Sequence, residues 1–180
     1  LVIPTVRVKR RTGINPYVFK NTDSAHDYLG KISAPISLMV LMVTLTNLIY
    51  PDGLEYMAPF IWLELSLLRT IGFLVIHVAL VCIIVAQIQM SDSWRVGIDK
   101  AAKTELKTNG LFSVSRNPVF LGMLVTLAGV FLIIPNALTL LAFVVLTLLF
   151  QVQVRLEEEY LTKTHGEIYA AYCTKTSRWL

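Results

Sequence analysis

NPVFLGMLVTLAGVFLIIPNALTLLAFVVLTLLFQVQV runs from Asn117 to Val154, 38 residues without a charge. One membrane-crossing helix needs about 20 mostly apolar residues, so the stretch is too long for a single crossing. Pro135-Asn136 lies near its middle. Proline lacks the N–H that a helix interior requires, and Pro-Asn is a turn pair. The stretch therefore reads as a tight helical hairpin with arms over 118–134 and 137–154. At 1.5 Å per residue each arm is about 25–27 Å long, which just spans a bilayer.

Two further uncharged stretches flank it on the N-terminal side. Ile32–Pro51 has 20 residues and Thr70–Ser91 has 22, each enough for one span. Composition agrees. Of 180 residues, 16% are charged and 55% are hydrophobic, and the mean hydropathy is +0.63. A soluble domain of this size has too little interior to hide that much apolar surface. Disorder, a secreted disulfide scaffold and an ordinary soluble enzyme are excluded together. The expected fold is an all-α polytopic membrane bundle with four spans, in one membrane domain.

The bases set its orientation. Arg7, Lys9, Arg10, Arg11, Lys20 and Lys31 precede span one, and Arg95, Lys100, Lys103, Lys107 and Arg116 lie between spans two and three. Arg155, Lys163, Lys175 and Arg178 follow span four, whereas the loop between spans one and two carries Asp52 and Glu55 and no base. By the positive-inside rule, residues 1–31, the loop 91–117 and the C-terminal helix and tail 155–180 are cytoplasmic. Spans one and two occupy 32–90. Leu1-Val2-Ile3-Pro4 before the basic run reads as the end of an earlier apolar segment, so a fifth span in the full protein is one expectation. The basic excess fits topology and anionic headgroups, and no nucleic-acid partner is expected. Oligomeric state is not encoded in any motif. Cys82 in span two and Cys173 in the tail lie at different levels and cannot pair.

Polar groups inside the spans are few. His77 is either a functional group or a neutral imidazole bonded to a neighbouring helix, and the second is the expectation. Glu64 and Arg69 fall near the outer headgroups. Gln87 and Gln89, and Gln151 and Gln153, mark the cytoplasmic ends of spans two and four. Chemistry concentrates instead in three segments that converge on the cytoplasmic interface: 91–98, 110–122 and 155–172. In the second, Pro118 suits a first helical turn and Asn117 suits the N-cap. The positive helix end and the fork of Arg116 attract a carboxylate. Gly122 lets a ligand or a helix approach closely. In the third, Glu157, Glu158 and Glu159 point in three directions about 100° apart. Arg155 and Glu159 at i, i+4 suit a surface pair, which leaves Glu157 or Glu158 for a pocket.

Taken in order, these segments resemble the isoprenylcysteine carboxyl methyltransferase and phospholipid methyltransferase superfamily. The residues that carry the likeness are Gly110, Arg116-Asn117-Pro118, Leu121-Gly122, the hairpin, Glu157-Glu158, Leu161, Gly166, Tyr169, Tyr172 and Arg178-Trp179. Ser93-Trp94-Arg95-Val96-Gly97-Ile98 is similar to a block of bacterial members, and so, with less force, are Asn15-Pro16 and residues 23–27. The match covers about half of the chain, from Ser91 onward.

The resemblance implies a membrane methyltransferase, in a bacterial inner membrane, that uses S-adenosylmethionine without a Rossmann domain. No Gly-x-Gly-x-x-Gly opening a βαβ unit is present, in agreement. It implies a cytoplasmic-face cofactor pocket lined by Arg116, Asn117, Pro118, Phe120, Leu121, Gly122, Glu157, Glu158 and Tyr169. Arg116, Glu158 and a substrate-positioning Arg95 form the implied catalytic set. The implied partner is a lipophilic acceptor, an isoprenylcysteine carboxylate-like molecule or a lipid. A carboxylate acceptor needs no base. An amine or thiol needs one, with His165 or a glutamate as the nearby candidates. Phe120 stands where the family often has Tyr, Asn117 where it has His, and His165 where it has Phe. Two other readings compete: an NADPH-dependent membrane reductase of the sterol-reductase type, and a non-catalytic membrane subunit on the same scaffold.

Overall fold

A computed structural model of the chain describes residues 24–90 and 106–180. Among the described residues five helices carry the fold: α1 (Ala25–Ile49), α2 (Ser66–Met90), α3 (Pro118–Ile133), α4 (Ala137–His165) and α5 (Glu167–Lys175). Short 3-10 turns cover Pro51–Met57, Ile61–Leu63 and Gly110–Ser113. Among the described residues there is no strand, only an isolated bridge between Pro59 and Asn136.

The hairpin falls where Pro135-Asn136 puts it, with α3 stopping at Ile133 and α4 starting at Ala137. Asn136 starts α4 by a reciprocal cap. Its side chain accepts from the Thr139 N–H at 2.9 Å, and the Thr139 hydroxyl accepts from the Asn136 N–H at 3.2 Å. The 58–60 segment then seals this end, with Phe60 N–H donating to Pro135 O at 2.8 Å and Ala137 N–H to Ala58 O at 3.1 Å.

Among the described residues three helices, α1, α2 and α4, are long and apolar enough to cross a membrane. Of the four expected spans, the one at α3 is a shorter apolar helix than the other three. α3 has 16 residues, about 24 Å at the standard rise, one residue less than its expected arm. α4 is longer than its expected arm. It continues without a break past Val154 through the charged turn to His165, so the last span and the start of the polar C-terminal region are one helix of 29 residues.

α1 begins before its uncharged stretch, with Ser24 accepting from the Asp27 N–H at 3.2 Å as N-cap. It runs through Pro35, which donates no backbone hydrogen bond. Ser33, two residues earlier, donates its hydroxyl to Gly30 O at 3.1 Å. Thr44, Thr46, Thr70, Thr126 and Thr147 likewise turn their hydroxyls back onto carbonyls four residues earlier. His77 does the same: its Nδ1 lies 2.7 Å from Phe73 O on its own helix, not on a neighbouring one, and the ring faces outward.

The helices lie in the order α1, α4, α3, α2, each packing on the next, so α1 and α2 are consecutive in the chain but not packing neighbours. The tightest seam is α2 on α3. Gly72, Ala79 and Ala86 repeat every seven residues on α2 and are buried; Gly72 faces Gly129 and Ala79 faces Gly122, glycines also seven apart on α3. A Cβ on Gly72 would come within 2.8 Å of Gly129 O, and one on Gly129 within 3.0 Å of Gly72 O. Backbones this close require small residues, which is how helices gain packing energy where no hydrophobic effect separates them from lipid.

Candidate functional site

Four segments meet at the basic end of the bundle: the end of α2, the 106–117 stretch, the polar half of α4, and α5 with the tail. The turn at Gly110 is fixed first. Gly110 has φ +63°, and a Cβ there would strike the Gln89 side chain. Gln89 Oε1 accepts the Leu111 N–H at 2.9 Å, which ties the turn to α2. Tyr172 of α5 donates its buried hydroxyl to Phe112 O, and Thr176 to Ser113 O at 3.4 Å. The tail continues the clasp, with Arg116 N–H donating to Ser177 O at 3.0 Å and Ser115 Oγ donating to Arg178 O at 3.3 Å.

This clasp delivers Arg116 to Glu158. Arg116 Nε donates to Glu158 Oε1 at 3.0 Å, and Arg116 Nη1 donates to the carbonyls of Thr176 at 2.8 Å and Cys173 at 3.2 Å. Arg178 donates through Nε and Nη2 to Glu158 Oε2 at 2.9 and 2.7 Å. Asn117 Nδ2 adds bonds to Glu158 Oε1 at 3.4 Å and Arg178 O at 3.2 Å. One carboxylate thus sits between two guanidiniums, with one formal positive charge left over. The Arg116 and Glu158 side chains are 12% and 11% exposed, so solvent screens this cluster weakly.

Electrostatics follow the contacts. Loss of hydration by itself raises the Glu158 carboxyl, but hydrogen bonds and charges from Arg178 and Arg116 outweigh it and hold the group below its ordinary value. The Arg178 guanidinium is pushed up by the same bonds. Tyr169 is 2% exposed. Burial first, then the Glu158 charge, raise its phenol far above the usual range, so it stays protonated. Tyr172 is pushed up to about 12, again mainly by burial. Glu157 lies beyond the apolar part of α4, where loss of hydration and the adjacent Glu158 charge push it up to about 7.

The sequence-derived candidates divide accordingly. Arg116, Asn117, Glu158 and Tyr169 come together. Asn117 occupies the N-cap position, but its side chain does not cap α3, because Glu158 and the Arg178 carbonyl take its amide. Pro118 fills the first turn and Leu121 N–H closes it onto Asn117 O at 2.9 Å. Phe120 packs edge-on against Phe150 of α4, centroids 5.4 Å apart. Gly122 serves a helix: a Cβ there would lie 2.5 Å from Ile83 of α2. Arg95 lies outside the described residues. Glu159 faces out and pairs with Lys163 at 2.5 Å, while Arg155 donates to Gln151 at 2.7 and 2.9 Å, so the expected Arg155–Glu159 pair is replaced. His165 stands seven residues beyond Glu158, about 10 Å along the helix axis, and is not part of the cluster. Sequence reading missed Arg178, Ser115 and Gln89 as partners. Only Arg178 carried a signal, as the basic member of the terminal Arg-Trp pair.

An all-helical bundle with three membrane-length apolar helices and an arginine–carboxylate clasp at one end is an integral membrane protein with a built polar site at the bundle's rim. Residues 67–168 match the phospholipid methyltransferase family, and the chain belongs to that family. No curated protein matches. Among solved structures the chain is similar to the eukaryotic intramembrane Ras methyltransferase, an isoprenylcysteine carboxyl methyltransferase, with TM-score 0.66 and 18% identity. The likeness covers 99% of this chain and 60% of that one, so this chain spans less than two thirds of its structural neighbour. At that identity the likeness establishes the fold. The family favours a methyltransferase over a nicotinamide-dependent reductase.

Proposed function

We propose that this protein is an integral membrane methyltransferase that moves a methyl group from S-adenosylmethionine to a lipophilic acceptor, an isoprenylcysteine carboxylate-like molecule or a lipid. The observation that carries the reading is the Arg116–Glu158–Arg178 clasp, in a chain of the phospholipid methyltransferase family. In this reading the clasp opens at the cytoplasmic face of a bacterial inner membrane, and the distribution of bases supports that orientation.

The donor set fits the cofactor. Arg116 Nη2 and Arg178 Nη1 receive no acceptor among the described residues, and the cluster keeps one formal positive charge, which suits the cofactor's α-carboxylate. Glu158 already accepts four bonds, about the capacity of a carboxylate. Its role is then to position the two guanidiniums rather than to accept from ammonium or ribose. Asn117, Pro118, Phe120, Leu121 and Tyr169 form the wall around it, Gly122 sets the distance between that wall and α2, and Arg95 positions the acceptor. Bound cofactor supplies a methyl group activated by its sulfonium. The chain's part is alignment and exclusion of water, because displacement at that methyl disperses charge and needs little acid–base help.

The test is transfer of labelled methyl from S-adenosylmethionine by the purified protein in lipid nanodiscs. Label recovered in organic-extractable product supports the reading. A folded protein that binds the cofactor yet labels no lipid or prenyl acceptor supports a non-catalytic subunit on this scaffold.

A further inference from the structure

The chain between α1 and α2 forms a strap across the end of the bundle remote from the clasp, and it is tied at three points. Gly53 N–H donates to Tyr50 O at 3.0 Å, and a Cβ on Gly53 would lie 2.8 Å from the Tyr50 ring, so the first 3-10 turn folds closely back on the end of α1. Ala58, with φ +49° and ψ +68°, then reverses the chain. A residue with a Cβ keeps this left-handed conformation only where its surroundings over-determine it. Here they do. Ala58 O accepts the Ala137 N–H and Phe60 N–H donates to Pro135 O, both at the hairpin turn. Phe60 adds the third tie through its ring, edge-on to Phe131 of α3 at 6.2 Å between centroids.

A strap held this firmly still leaves large apolar side chains uncovered. Trp62 stands against Phe60, centroids 5.2 Å apart, yet is 71% exposed, and Tyr56 is 87% exposed. Leu48 and Ile49 at the end of α1, and Leu65 and Leu67 at the entry to α2, carry this exposed surface onto two helices of membrane-crossing length. Asp52, Glu55 and Glu64 are exposed on the same segment, and no base lies between Lys31 and Arg69. The hairpin turn beneath is different. It has no charge of its own, because Asn117 to Val154 is uncharged throughout, and Asn136 is buried.

We propose that residues 50–65 are a membrane-surface anchor, a strap that seats Tyr56 and Trp62 among phospholipid head groups at this end of the bundle and holds the α3–α4 turn beneath them inside the bilayer. Indole and phenol rings favour the boundary between hydrocarbon and water, which draws the strap down to that level. Carboxylates in hydrocarbon are costly, so Asp52, Glu55 and Glu64 stop it from sinking further. Irregular backbone is tolerated at membrane depth only where protein buries it, and the strap does this for the turn through the Ala58 and Phe60 bonds. Lipid is favoured over a second copy of the chain as the occupant of this face. A second copy would bring two sets of the same three carboxylates together, and like charges in apposition oppose association.

The test is tryptophan fluorescence of the full chain in phosphatidylcholine nanodiscs whose acyl chains carry bromine either near the carbonyl or near the terminal methyl. Trp94 and Trp179 are common to wild type and Trp62→Phe, so the difference between the two spectra is the signal of Trp62. Tyr56→Trp in the Trp62→Phe background supplies a second probe at another exposed position of the strap, independent of the first. Both probes should emit to the blue of a water-exposed indole, and both should be quenched more strongly by bromine near the carbonyl than by bromine near the methyl. Emission at the water-exposed wavelength without quenching overturns the proposal, by placing the strap in solution. Blue-shifted emission without quenching overturns it in favour of a protein partner, a second copy included. Stronger quenching by bromine near the terminal methyl also overturns it, by placing the strap in the hydrocarbon core.

Discussion

Arg116 and Glu158 stand 42 positions apart in the chain, and their side chains meet at 3.0 Å between Nε and Oε1. One precedes α3 and the other belongs to the polar half of α4, so the contact closes the open end of the hairpin that Pro135-Asn136 closes at the other. Arg178 completes it from the tail, which makes the last residues of the chain part of the site.

Removing either partner should weaken cofactor binding. Arg116→Ala and Glu158→Ala are each expected to raise the dissociation constant of S-adenosylhomocysteine by the equivalent of about 1.5–3 kcal/mol, the scale of a hydrogen bond to a charged group. His77→Ala, whose ring only meets its own helix, should leave it unchanged. Titration of the three variants decides the matter, and equal losses in all three would mean general misfolding rather than a site.

The tail is expected to act through Glu158. In Arg178→Ala the carboxylate loses both Oε2 donors while Arg116 and Asn117 remain. Binding should fall in the same direction as in Arg116→Ala, and Arg178→Lys should restore part of the charge but not the paired geometry. An Arg178→Ala protein that binds as wild type does would remove the tail from the site.

Acid should loosen the clasp. Glu158 is held below its ordinary value, so its stabilisation is present above the unfolded value of about 4.3 and is lost as pH falls through the lower folded value. Glu157 works in the opposite sense. Its folded value of about 7 lies above the unfolded one, so its contribution is present below the unfolded value and is lost as pH rises towards 7. Thermal unfolding in detergent from about pH 2 to 8, wide enough to pass below the ordinary carboxylate range, should show Glu157→Gln flattening the decline on the neutral side. Glu158→Gln should flatten the fall at the acid end. An unaltered profile in both would contradict the electrostatic assignment.

The α2–α3 seam should tolerate nothing larger than its present residues. Gly72→Val and Gly129→Val each force a side chain against the facing backbone carbonyl. Each is expected to cost about 1–3 kcal/mol by overpacking. A lowered melting temperature in lipid checks it, with the exposed Val78→Leu as the control that should not move.

How far these features could be read beforehand depends on the distance over which each is decided. The hairpin was legible because proline's missing N–H is a local fact, and α3 does stop at Ile133. The glutamate run was partly legible. Three adjacent positions on a helix cannot share a direction, and the structure turns Glu158 in and Glu159 out. Their partners were not legible, because Lys163 and Gln151 offered local alternatives to the Arg155–Glu159 pair. Asn117 looked like a cap from its neighbours alone, yet a carboxylate and a carbonyl from beyond residue 150 draw its amide away. The seven-residue repeat of small residues was present in the sequence, but only the pairing of α2 with α3 shows that Gly122 faces a helix.

The most direct measurement is calorimetric titration of the detergent-purified protein with S-adenosylhomocysteine, with NADPH as comparator. Micromolar binding of S-adenosylhomocysteine and none of NADPH is the expected result. A folded protein that binds neither, or that binds NADPH alone, contradicts the methyltransferase account.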